Sequence, residues 1–277
     1  MAAMASLYGK VVVITGGAQG IGATTARALV GRGARVAIGD LDPLLAEKTA
    51  GELGGDTIAL PLDVTDHRGF TGFCDEVERR LGPIDVLINN AGVMLLSPLE
   101  DEDDAATATQ IDVNFTAVVH GTREAVRRMR PRGSGHIVNV ASMAGKAGFP
   151  GAATYCATKH AVVGLSEAVR QELRGSGVEI TCVMPAVVRT HLADGLREAK
   201  LFPSLRPEDV ATAIVGALDT PRFDVFVPKT LDVTTRVSRV LPRSVAEWFM
   251  RVIGADEVFL RARSGARAEY EARVRKR

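Results

Sequence analysis

The sequence predicts an α/β fold: a doubly wound parallel sheet of about seven strands, layered α/β/α, with extra C-terminal helices. Three observations carry that prediction. Short Val/Ile-rich runs recur without polar alternation, as strands buried on both faces do. A stretch of helical length follows nearly every run. A glycine-rich turn joins the first run to the first helical stretch, at the end of the sheet where open α/β folds bind ligands.

The elements follow in order. Val11–Thr15 is a continuous β-branched run, and Ala34–Gly39, Thr57–Leu62, Val86–Asn89, His136–Ala141, Glu179–Met184 and Asp224–Pro228 are the further strand candidates. Period alone does not separate short apolar runs from buried helix. Their length, Val/Ile content and regular spacing assign them to strands. The helical segments between them are Ile21–Gly31, Pro43–Leu53, Arg68–Leu81, Asp104–Arg130, Tyr155–Arg174 and Pro207–Leu218. Past Pro228 the alternation stops. Ser244-Val-Ala-Glu247 reads as a capping box opening a helix that carries Trp248, Phe249, Val252 and Ile253, and Asp256 as the cap of a last Ala/Arg-rich helix. The chain therefore divides into a unit over residues 1–235 and a basic helical extension over 236–277, packed on or near it.

With 46% hydrophobic and 24% charged residues, the 277-residue chain can bury a sizeable core, which excludes a disordered or collagen-like class. A net charge of +1 implies no strongly charged partner for the whole chain. The distribution is uneven, since residues 236–277 hold 11 Lys/Arg against 5 Asp/Glu. Cys74, Cys156 and Cys182 form no close pair, so neither a disulfide framework nor a metal site is expected. Met1–Tyr8 lacks a signal-peptide layout and no apolar run reaches bilayer length, so the expected location is the cytoplasm.

The turn Thr15-Gly-Gly-Ala-Gln-Gly-Ile-Gly22 follows the first strand. Glycines let the backbone turn sharply and let a phosphate approach, and the following helix offers free N–H groups and a favourable dipole. The spacing Gly16-x-x-x-Gly20-x-Gly22 differs from G-x-G-x-x-G, and alone it also fits a turn with no ligand. Asp40 ends the second strand, 18 residues after Gly22. A carboxylate there accepts hydrogen bonds from both adenosine ribose hydroxyls and repels a 2′-phosphate. Gln19 precedes Gly20, with no Lys or Arg in the turn. Both features favour NAD over NADP. The plainer alternative makes Asp40 a strand-end turn residue.

Tyr155 and Lys159 lie four positions apart in a helical stretch, one turn apart on one face. A phenol is a poor base at neutral pH, and a nearby ammonium stabilises its phenolate. Alone, this spacing is common by chance. Ser142 ends the fifth strand, 13 residues before Tyr155. Together with the glycine turn, Asp63, Asn89-Asn90-Ala91-Gly92 and Asn114, the chain resembles the short-chain dehydrogenase/reductase family from about Lys10 to Pro228. The resemblance implies a Rossmann-like fold and hydride transfer between an alcohol or ketone carbon and nicotinamide. It makes Tyr155 the general acid/base, Ser142 the group orienting the substrate oxygen, and Lys159 the partner of Tyr155 and of the nicotinamide ribose. Asn114 would hold a water in a proton relay. Gly16, Gln19, Gly20, Ile21 and Gly22 would form the phosphate turn. Asp63 and Val64 would meet adenine, and Asn90, Ala91 and Gly92 would line the adenosine side. Pro185, Val188 and Thr190 would flank the nicotinamide. Ala186 departs from the family's usual Gly after Pro185 and is expected to tune the site.

The substrate wall is expected from segments after the strand ends, 93–96, 144–151 and 186–202. They offer Met94, Phe149, Ala186, Val187 and Leu192, with Leu95, Leu96, Leu196, Leu201 and Phe202. Few charges intrude, so a hydrophobic secondary alcohol or ketone is expected, and Ala193–Phe202 could close over it. Cys156 and His160 read as structural, and Asp101–Asp104 as a solvated loop and helix start. His191 stays open, since it falls where the substrate loop begins. The basic tail reads first as packing on its own or a partner subunit, with weak peripheral contact to an anionic membrane as an alternative. No nucleic-acid motif is present. The resemblance also implies a homodimer or homotetramer. Two rival functions remain: an NADP-linked carbonyl reductase of the same fold, and a non-catalytic dinucleotide-sensing or scaffold protein.

Overall fold

Strand β1 (Val11–Thr15) is wholly buried and forms the middle of the sheet. It pairs in parallel with β2 (Arg35–Asp40) on one side and with β4 (Val86–Asn89) on the other. With β3 (Thr57–Pro61), β5 (Gly135–Val140), β6 (Val178–Pro185) and β7 (Asp224–Val227), the strand order is β3-β2-β1-β4-β5-β6-β7, all parallel. The order reverses between β1 and β4, and a crevice opens beyond the strand ends at such a reversal. We describe a computed structural model covering residues 7–196, 204–242, 244–245, 248, 252, 257–260 and 264–275.

Helices α1 (Gly20–Val30), α2 (Pro43–Leu53), α3 (His67–Leu81), α4 (Asp104–Ile111), α5 (Ala117–Met129), α6 (Ala153–Glu172) and α7 (Pro207–Asp219) connect the strands. Local signals set their starts. Pro43 opens α2 behind Asp42, whose carboxylate accepts from the Leu45 N–H. Asp66 caps α3 in the same way through Arg68 N–H. Two apolar layers cover the sheet. Phe70, Phe73, Val77, Met129 and Val162 belong to one, and Ala26, Leu29, Val210 and Ile214 to the other. The predicted strands agree with those observed to within one or two residues at each end.

Two departures matter. The expected single helix Asp104–Arg130 is interrupted by a π-helical turn, Asp112–Thr116, which carries Asn114. After β7, helix α8 (Thr230–Val240) runs on through residues 235 and 236. Two further helices, α9 (Glu257–Leu260) and α10 (Ser264–Arg275), end the described chain. Glu247, Phe249, Ile253 and Asp256 lie outside the described residues, as do Leu201 and Phe202. No helix among the described residues is long and apolar enough to cross a membrane.

A polar cluster sits inside the apolar layer. Asn89 and Asn139 face each other across β4 and β5, and Asn89 Nδ2 donates to Asn139 Oδ1 at 2.8 Å. Asn139 Nδ2 donates to Ser166 Oγ at 3.0 Å, and Thr122 Oγ1 donates to Asn139 Oδ1 at 3.3 Å. The four residues are buried, and the bonds join two strands to α5 and α6.

Candidate active site

The glycine turn fits a dinucleotide phosphate. Gly16 and Gly20 have φ of +63° and +57°, the left-handed region that L side chains avoid. A Cβ on Gly22 would stand 2.3 Å from the Gly16 carbonyl oxygen, so α1 starts too close to the turn for any larger residue. Gln19, the exposed residue before α1, makes no side-chain cap hydrogen bond, which leaves the first-turn N–H groups to an anion. Ile21 is half-buried and packs on the core below.

Asp40 lies beside this turn. Its Oδ2 accepts from Ala18 N at 3.0 Å and its Oδ1 from Asp42 N at 3.2 Å. Both oxygens keep acceptor capacity, as a ribose diol needs. Asn90 Nδ2 donates to the carbonyls of Thr15 and Gly16 at 3.0 and 2.9 Å, so the loop after β4 is fastened to the glycine turn. Thr15 Oγ1 accepts from the N–H groups of both Asn90 and Ala91. Asp63 accepts from Thr65 N and Oγ1 at 2.9 and 2.7 Å, which shapes the loop after β3 around buried Val64. Thr190 reaches the turn from the far side of the crevice: its Cγ2 would lie 3.2 Å from a Cβ on Gly20. The glycine cradle, the uncapped helix start and the strand-end carboxylate together suit a nicotinamide dinucleotide.

The four expected catalytic residues come from three elements. Ser142 follows β5, Tyr155 and Lys159 ride on α6, and Asn114 sits on the π turn. The Tyr155 and Ser142 side chains lie close enough for their hydroxyl groups to interact. Lys159 Nζ lies 5.7 Å from the Tyr155 ring centre and donates to the Val140 carbonyl at 3.0 Å. Asn114 is fully buried; its Oδ1 accepts from Val93 N and its Nδ2 donates to Val93 O, both at 2.8 Å. Gly92 lies where Asn114 and Lys159 converge, since a Cβ there would be 3.3 Å from Asn114 Oδ1 and 3.7 Å from Lys159 Nζ.

Burial dominates the electrostatics. It pushes the Tyr155 phenol above its usual value, and the Ser142 hydroxyl and the Arg267 charge work against it. Sequence reasoning assigned that lowering to Lys159; here the opposing groups are Ser142 and Arg267. Burial also lowers the Lys159 ammonium to about 8.

Of the expected substrate residues, Met94, Phe149, Val187 and Leu192 share one apolar cluster with Tyr155, Ala144, Ala152 and Cys156. Ala186 packs instead on the core beneath the sheet, its N–H bonded to Val227 O. Val188 is buried in the opposite core layer, and Pro185 ends β6. His160 Nδ1 donates to the Cys156 carbonyl at 2.8 Å, which fits its structural reading. His191 is exposed and pairs with Asp194 at 3.1 Å. Sequence reasoning missed Val258, Phe259, Arg267 and Tyr270. The first two join the Tyr155 cluster, and Tyr270 Oη accepts from Met94 N at 3.0 Å. Only the one-turn spacing of Arg267 and Tyr270 hinted at a shared face.

Comparison with known proteins agrees with this geometry. The family model for short chain dehydrogenase matches residues 10–201. A 3-alpha-(or 20-beta)-hydroxysteroid dehydrogenase of Mycobacterium tuberculosis is 34% identical over 215 residues, covering 78% of this chain and 79% of the relative. A D-threitol dehydrogenase of Mycolicibacterium smegmatis is 37% identical over 222 residues, covering 76% and 85%. The crystal structure of a short chain dehydrogenase/reductase from Burkholderia phymatum in complex with NAD superposes with a TM-score of 0.79 at 28% identity, covering 85% of this chain and 95% of the other. With its seven-stranded sheet, glycine turn and Tyr155–Lys159 pair, this chain belongs to the short-chain dehydrogenase family of oxidoreductases.

Proposed function

We propose that the chain is an NAD-dependent oxidoreductase acting on a hydrophobic secondary alcohol or ketone, with Tyr155 as its acid/base. One observation carries the reading. The Ser142 and Tyr155 hydroxyl groups interact beside an apolar cluster, while Lys159 and Asn114 meet at Gly92, in the loop after β4 that is fastened to the glycine turn. Bound at that turn, the dinucleotide would supply the hydride chemistry. Everything else falls to the chain. Ser142 and Tyr155 hold the substrate oxygen between two hydroxyl groups. In oxidation Tyr155 Oη accepts the alcohol proton, and in reduction it returns one. Burial keeps the phenol protonated at neutral pH, which suits donation to a ketone. Ser142 and the Arg267 charge favour the phenolate when it forms, Lys159 would hold the nicotinamide ribose, and Asn114 leads from Lys159 toward solvent through a water.

The apolar wall, with Met94, Phe149, Val187 and Leu192, favours an apolar substrate over a polyol. We read residues 1–235 as the catalytic unit and 236–277 as its extension, in a cytoplasmic homodimer or homotetramer. Val233, Val237, Leu241, Val245, Trp248 and Val252 are exposed at three- and four-residue spacing within or beside that basic tail. This supports a weak peripheral contact with an anionic bilayer, tested by co-sedimenting the full chain and a Trp248→Glu/Val252→Glu variant with phosphatidylserine vesicles. Equal pelleting of the two removes that contact.

The function itself is tested by screening hydrophobic secondary alcohols for NAD reduction, with Tyr155→Phe as the control. The variant should lose about 10²- to 10⁴-fold in kcat. Turnover that survives in the control would overturn the role of Tyr155.

A further inference from the structure

The last described helices lie outside the stretch matched by the family model, yet they form part of the site. Arg267 is only 3% exposed. Its Nη1 donates to the carbonyls of Leu192 and Asp194, both at 3.2 Å, its Nη2 to the carbonyl of Met94, and its Nε to Glu271 at 2.8 Å. One side chain thus ties the loop after β4 to the loop after β6, the two loops that frame the crevice. Burying a guanidinium is costly unless its donors are met, so a tail resting loosely on the surface would not hold one here. Tyr270 and Glu271 add bonds to the N–H groups of Met94 and Leu96. In α9, Val258 is buried among Met94, Tyr155 and Cys156, and the Phe259 ring lies 5.2 Å from that of Phe149. A Cβ on Gly151 would stand 3.3 Å from Leu260 Cα, so this loop is shaped for α9 to lie against it. Behind the wall, Tyr155 is 6% exposed and Met94 2%.

We propose that α9 and α10 form the outer wall of the substrate chamber, with Phe259 setting the size limit and Arg267 as the positioning residue that holds the wall in place. The chamber then admits compact apolar secondary alcohols and disfavours bulkier ones. This rests on the function proposed above. A methylene-sized change in such a pocket shifts selectivity by about tenfold or more.

Two measurements test it. The first is kcat/KM for cyclohexanol and for a tetracyclic 17β-hydroxysteroid in wild type and Phe259→Ala. The steroid-to-cyclohexanol ratio should rise at least tenfold in the variant, chiefly through a lower KM for the steroid. The second needs no turnover: the rate at which a thiol reagent labels Cys156, read by mass spectrometry, in wild type, Arg267→Gln and Arg267→Lys. Cys156 is buried under the wall, while Cys74 and Cys182 are buried elsewhere and report the integrity of the fold. Cys156 should react at least tenfold faster in Arg267→Gln with the other two unchanged, and Arg267→Lys should fall between. An unchanged selectivity ratio in Phe259→Ala overturns the size limit, and an unchanged Cys156 rate in both Arg267 variants overturns the wall. A wild type that turns over no alcohol would count against the proposed function, and the labelling would still decide the wall.

Discussion

The Lys159 ammonium is bonded to the carbonyl of Val140 at 3.0 Å, which ties the first half of α6 to the end of β5, two residues before Ser142. The bond holds a cation in a buried place, and that has a measurable consequence for stability. Burial depresses Lys159 to about 8 from an ordinary 10.5. Below pH 8 the folded chain bears the whole cost of the buried charge. Between 8 and 10.5 the folded chain gives up the proton while the unfolded chain keeps it, so wild-type stability rises with pH. From pH 7 to 9.5, wild type should gain about 2 kcal/mol relative to Lys159→Met. Urea unfolding at the two pH values measures this, and parallel changes in the two proteins would contradict it.

Asp40 should decide the cofactor. Its carboxylate is fixed by Ala18 and Asp42 with acceptor capacity to spare. Removing a charged hydrogen-bond acceptor costs about 1.5–3 kcal/mol. In Asp40→Ala, kcat/KM for NAD should fall about 10- to 100-fold while that for NADP is held or improved. A wild type that prefers NADP would refute the assignment.

Asn114 should matter to stability as well as to rate. Its amide satisfies both backbone groups of Val93 and is itself fully buried. Asn114→Ala leaves both without a partner, at about 2–4 kcal/mol. Asn114→Asp keeps the acceptor and loses the donor, so its denaturation midpoint should fall between the other two. Equal midpoints for the Ala and Asp variants would sink this account.

Gly22 has no room for a methyl group. In Gly22→Ala the new carbon meets the Gly16 carbonyl and the Asn90 amide, so the turn must open. Overpacking of this kind costs about 1–3 kcal/mol. NADH affinity, followed by fluorescence titration, should drop together with the melting temperature. A variant that binds NADH as wild type does would show that the turn is not the phosphate site.

Much of this was legible in the residues. Seven Val/Ile-rich runs placed the strands because buried parallel strands carry their signal in composition. The glycine turn, Asp40, Ser142 and the Tyr155–Lys159 pair were legible because each sits at a strand end or one turn along a helix. Asn114 was found by its motif, but its π turn was not, because a one-residue widening barely disturbs a helical period. The role of α10 was hidden for another reason. Arg267 meets carbonyl groups of Met94, Leu192 and Asp194, and backbone acceptors leave no mark on sequence.

The Asn89–Asn139 pair has a consequence for how the sheet finds its alignment. Each amide is satisfied only when these two positions stand opposite each other with Ser166 and Thr122 in reach. If β5 slid by two residues along β4, Ile137 or Ala141 would take the place of Asn139, and a buried amide would be stranded without water. A two-residue slip keeps every side chain on its own face, so branched apolar residues alone discriminate against it less than against a one-residue slip. The pair therefore acts as a locating pin. It stands just ahead of Ser142, where misalignment would carry the reacting hydroxyl groups out of line.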